Sequence, residues 1–72
     1  MRLSPRERDI VELIQRAGRR LSTEQILAAL EKNGGSVSIG TTKTSLAHLT
    51  RMGVLINRRD TDPPGYGLPN WV

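Results

Sequence analysis

A chain of 72 residues with a formal net charge of +4 and 36% apolar composition has room for one domain over 1–72 with a thin core, and little for a separate sensor or catalytic domain. It contains no cysteine, which excludes disulfide staples and thiolate zinc sites and points to a cytoplasmic setting. No apolar run approaches the roughly 18 residues of a membrane span, and Arg2, Arg6, Glu7, Arg8 and Asp9 crowd the start, where a signal peptide would be apolar.

The first predicted helix covers 5–17. Ser4, Pro5 and Glu7 supply a serine cap, a proline at the first helical position and a glutamate at capping-box spacing. Ile10, Val11, Leu13, Ile14 and Ala17 follow as an apolar stripe, and Gly18 is a natural stop. Arg19, Arg20 and Leu21 form a connector, either irregular or one short strand. The second helix, 23–33, repeats the capping spacing with Ser22 and Gln25 and adds a hydrophobic staple from Leu21 to Ile26. Its buried stripe is Ile26, Leu27 and Leu30 with Ala29 beside them, and Asn33-Gly34-Gly35 ends it.

A turn over 34–39 leads into the third helix, 40–52. Leu46 and Leu49 are its inward anchors, Ile39 and Thr42 lie near the same face, and Gly53 stops it. The period then changes. Val54 to Arg58 is β-prone, Asp60 to Gly65 is a dense turn signal containing Pro63-Pro64, and Tyr66-Gly67-Leu68 reads as a returning strand, giving a hairpin over 54–69. Tyr66 and Leu68 are expected to lay this hairpin on the helices, and Trp71 to close the core.

Leu46-Ala47-His48-Leu49-Thr50-Arg51-Met52-Gly53-Val54-Leu55 resembles the Leu-x-x-Leu-x-x-x-Gly-Leu-Ile/Val stretch of the winged helix-turn-helix superfamily, as in the MarR-like repressors. The order helix, link, helix, turn, helix, hairpin is also that of the superfamily. The resemblance implies an α+β, mostly α, fold: three helices and a C-terminal two-stranded β-hairpin wing. The dimerisation helices of MarR-like proteins are absent, so their dimer is not implied. Pro63, Pro64 and Trp71 also resemble the wing prolines and tryptophan of small winged helices that bind left-handed nucleic acid. Ala47, however, stands roughly where those domains carry a tyrosine, and the spacing to Trp71 is longer.

Charge is unevenly distributed along the chain. Lys32, Lys43, Arg51, Arg58 and Arg59 occupy a stretch without Asp or Glu, whereas the basic residues before it are nearly balanced by Glu7, Asp9, Glu12, Glu24 and Glu31. A regular third helix turns Gly40, Thr41, Thr44, Ala47, His48 and Arg51 outward, with Lys43 at the margin. That face is short and polar, and a major groove admits such a helix. Thr41, Lys43 and Thr44 are the candidate base readers and His48 the next, while Arg51 near the helix end suits a phosphate. Arg58 and Arg59 suit phosphates or a narrow minor groove, or else simply keep an edge strand soluble. Arg19 and Arg20 either touch a flanking phosphate or do nothing for binding. Arg2, Arg6, Arg8 and Arg16 alternate with acids as a solvated face.

Catalysis has no constellation behind it: no nucleophile–base pair, glycine-rich phosphate loop or metal-ligand spacing occurs, and the carboxylates of the first helix and the wing tip are expected to be exposed. His48, the single histidine, has no carboxylate near it in sequence, so no metal or cofactor is expected. The reading is therefore double-stranded DNA binding by a small transcriptional regulator or accessory protein, not an enzyme. Four to six cations would give a log–log salt slope of about −4 to −5. A domain this small would work as a homodimer or through a larger protein partner. A winged-helix protein-interaction module is the alternative, and RNA binding a third, because an A-form major groove is too narrow for a reading helix.

Overall fold

A computed structural model describes residues 3–35 and 37–71. Arg2 and Ser36, assigned above to a solvated face and the turn, lie outside the described residues, as do Met1 and Val72. The elements follow in the expected order: α1 Pro5–Ala17, α2 Thr23–Lys32, α3 Ile39–Arg51, β1 Ile56–Arg58 and β2 Gly65–Gly67. The helix ends agree with the sequence reading to within one residue, because their caps are local. The Ser4 hydroxyl accepts from Glu7 N–H at 3.2 Å while the Glu7 carboxylate accepts from Ser4 N–H at 3.0 Å. Ser22 and Gln25 repeat the box at 3.2 and 2.8 Å. At α3 the Ser38 hydroxyl accepts from Thr41 N–H at 3.1 Å.

One core joins the three helices. Ile10 and Ile14 from α1, Ile26 from α2, Leu46 and Leu49 from α3, and Leu55 beyond it are fully buried, with Leu21, Leu30 and Val37 around them. Ile39 departs from its expected inward place: it is 45% exposed, and Val37, two residues earlier, joins the core instead. Tyr66, Leu68 and Trp71 are partly buried against this cluster, as expected for the hairpin and tail.

Both strands are three residues long, and β1 starts two residues later than the β-prone run. Val54 and Leu55 are otherwise engaged: their N–H groups both donate to the Leu49 carbonyl, at 2.9 and 3.4 Å, closing the end of α3. β1 and β2 pair antiparallel, Ile56 with Gly67, Asn57 with Tyr66 and Arg58 with Gly65. Tyr66 also pairs with Leu21 through reciprocal bonds of 3.1 and 2.8 Å, so the connector between α1 and α2 does supply a one-residue strand on the far side of β2.

The sequence left the role of Arg20 open. Instead of reaching toward a flanking phosphate it is buried, and its guanidinium donates to the carbonyls of Ile56 at 3.4 Å and Trp71 at 3.2 Å. It ties connector, wing and tail together, and its stem lies where a side chain on Gly67 would have to go. Among the described residues no helix is long and apolar enough to cross a membrane.

Gly65 has φ 135°, and a Cβ there would lie 2.4 Å from the Leu21 carbonyl oxygen. Gly65→Ala is therefore expected to lower the unfolding free energy by about 1–3 kcal/mol in urea titrations and to speed exchange of the Leu21 amide. Unchanged stability would contradict this packing.

Candidate nucleic-acid interface

The orientation of α3 decides which side chains are available. Thr42, Leu46 and Leu49 are fully buried, and Thr42 tolerates burial because its hydroxyl donates to the Ser38 carbonyl at 3.0 Å. Thr41, Lys43, Thr44, His48 and Arg51 are all exposed. Thr41, Thr44, His48 and Arg51 recur at helical spacing and form one strip, while Lys43 stands off it. No Asp or Glu occurs in α3.

The two threonine hydroxyls of this strip have opposite polarity. Thr41 Oγ1 accepts from the Ser38 hydroxyl at 2.8 Å, which leaves its own proton to donate outward. Thr44 Oγ1 donates to the Gly40 carbonyl at 3.0 Å, which leaves it an acceptor. Gly40 has no atom within 4 Å of where a Cβ would stand, so the start of the strip is open to close approach.

His48 does have a carboxylate beside it. Its Nδ1 meets Glu7 Oε2, and Glu7, expected among exposed carboxylates, is only 7% exposed at its side chain. The capping box already accounted for Glu7, and 41 residues separate the two, so nothing in the sequence marked the pair. The Ser4 backbone N–H, and after it the bond to His48, hold the Glu7 carboxyl below the ordinary value of 4.5.

The wing is less cationic in space than in sequence. Arg58 makes a two-point contact with Asp60, Nε donating at 3.1 Å and Nη2 at 2.8 Å. That pairing raises the Arg58 pKa above its usual value and lowers that of Asp60. Arg58 is thus already engaged with Asp60 in the free protein. Arg59 is exposed and lines a groove of about 420 Å³ with Ser22, Thr23, Glu24, Asn57 and Tyr66, so an acid shares its surroundings as well.

No protein-family model matches the chain, and no curated protein matches it in sequence. Among solved structures, the ferric uptake regulator of Francisella tularensis, determined with iron, is similar over the whole of this chain with a TM-score of 0.82 and 16% identity. The fold is a winged helix. The match covers 56% of the regulator's chain. It supports the winged-helix fold without pointing to the MarR-like proteins in particular. The iron belongs to that protein: here there is no cysteine, and among the described residues no three of His, Asp and Glu converge on a point. Among the described residues the donor set does not fit such a metal.

Because the folded-state pKa of Glu7 is depressed, its stabilising effect is complete above the ordinary carboxylate value and lost as pH falls through 4.5 toward the lowered value. Glu7→Gln keeps the cap but not the titration. In urea midpoints measured against pH, the variant is expected to show a shallower acid limb than the wild type. Parallel limbs would contradict the assignment.

Proposed function

We propose that the chain binds double-stranded DNA, laying the outer face of α3 in the major groove and the wing along the backbone or minor groove, as a small transcriptional regulator or accessory protein in the cytoplasm. The observation that carries this reading is a reading-sized helix without a carboxylate, pinned by one buried stripe, whose exposed strip offers hydroxyls, an imidazole and a guanidinium to one side. Thr41 and Thr44 contact base edges, with His48 next to them. Lys43, a candidate base reader by sequence, stands off that strip and contacts phosphates together with Arg51 and Arg59, and Arg58 joins them when it leaves Asp60. The similarity to a ferric uptake regulator supports the reading at the level of fold. So small a domain binds as a homodimer on a two-fold site or is delivered by a protein partner. Neither a MarR-like dimer nor catalysis is part of the proposal.

Burial of Arg20 and pairing of Arg58 reduce the free cations to about three, which sets an expected log–log salt slope of about −3. Asp60→Asn releases Arg58 and is expected to tighten binding and steepen the slope by about 1. Thr44→Ala is expected to relax sequence preference, and Arg59→Ala to weaken all duplexes alike. Binding isotherms across salt and sequence check all three. An Asp60→Asn slope equal to that of the wild type, or exchanged effects of Thr44 and Arg59, would overturn the assigned roles.

A protein-docking module is the second reading. Ile39 at 45% and Ile56 at 39% exposure are the large apolar side chains left at the surface among the described residues, and acids accompany both wing arginines. Absence of binding to any duplex at low salt would favour it.

A further inference from the structure

The two oxygens of Glu7 have separate tasks: Oε1 accepts from Ser4 N–H at 3.0 Å, and Oε2 meets His48 Nδ1. An ionised carboxylate can only accept hydrogen bonds. Nδ1 must then carry the proton, and in the neutral ring Nε2 carries the lone pair. The His48 side chain is 52% exposed, on the strip it shares with Thr41, Thr44 and Arg51, and Nε2 has no hydrogen-bond partner among the described residues.

We infer that Glu7 is a positioning residue that fixes the neutral His48 ring as a hydrogen-bond acceptor on the DNA-facing strip, so that in this form Nε2 selects the amino group of adenine or cytosine over the carbonyl oxygen of guanine or thymine. The inference rests on the DNA reading above and adds a specificity determinant to it. Along the strip the outward groups then run donor, acceptor, acceptor, donor, from Thr41 through Thr44 and His48 to Arg51. A phosphate offers only acceptors, so it is not the partner of this nitrogen. The adenine and cytosine amino groups are the donors that the major groove presents.

Glu7→Gln tests this without removing the cap. The Ser4 N–H needs an acceptor, so the glutamine oxygen takes the place of Oε1, and the amide nitrogen then faces Nδ1. An amide nitrogen donates, and the ring answers by carrying its proton on Nε2. At mildly alkaline pH, where an imidazole is neutral, proton–nitrogen correlation spectra of the free proteins are expected to show the proton on Nδ1 in the wild type and on Nε2 in the variant. Selection from random duplexes is expected to change at one base position, from adenine or cytosine to guanine or thymine, with about a two- to tenfold change in preference. A wild-type ring protonated on Nε2 overturns the inference, and that measurement needs no variant. An inverted ring with unchanged selection also overturns it, leaving DNA binding intact. Failure of the wild type to bind any duplex at low salt overturns the DNA reading itself, and this inference with it.

Discussion

The rotation of α3 about its own axis is set by three side chains. Thr42, Leu46 and Leu49 enter a core of few residues, and in so small a core each fills space that no neighbour can replace. Rolling the helix by one position would bring an exposed polar side chain inward and leave a leucine in water. The burial of that stripe therefore decides which groups face outward, and everything said of recognition follows from it. Ser38 fixes the helix start through its hydroxyl, and the Leu49 carbonyl fixes the end by accepting from Val54 and Leu55. The same carbonyl thereby sets where the wing begins.

The wing is held chiefly by backbone pairing rather than by its own apolar surface. Tyr66 lies between Asn57 and Leu21, with β1 on one side and the connector on the other. Gly65 admits the connector's backbone, and the Arg20 guanidinium bonds the Ile56 and Trp71 carbonyls. Such a buried guanidinium is a structural group and contributes no phosphate contact. The fold thus divides the arginines around the wing: Arg20 is internal, Arg58 is paired with Asp60, and Arg59 remains exposed near Glu24. Lys43 and Arg51 on α3 and Arg59 on the wing are the exposed cations left to this face.

What was legible in the sequence is what is local. Serine caps with a partner three residues on, glycine stops and the Leu46–Leu49 spacing each act within a turn or two, and all reappear in the fold. Contacts between distant segments were not legible. Arg20 reaches residues 36 and 51 positions away, and its dipeptide neighbour Arg19 is exposed, so nothing in the sequence distinguishes them. Glu7 had a sufficient local role, which concealed its second oxygen. Ile39 has the right period for the core but stands in the first turn, ahead of it. Arg58 and Asp60 are different: they are two residues apart, and counting Asp60 only as a turn residue hid their pairing.

On the reading proposed above, the outer strip of α3, together with the wing, is the surface that meets a duplex. Adding duplex DNA at low salt to isotopically labelled protein and following the backbone amides tests it most directly. Shifts concentrated at 38–51 and 56–66, with α1 beyond its first turn unmoved, are the predicted result. Shifts centred on α1 and the end of α2, or none at millimolar duplex, would contradict it.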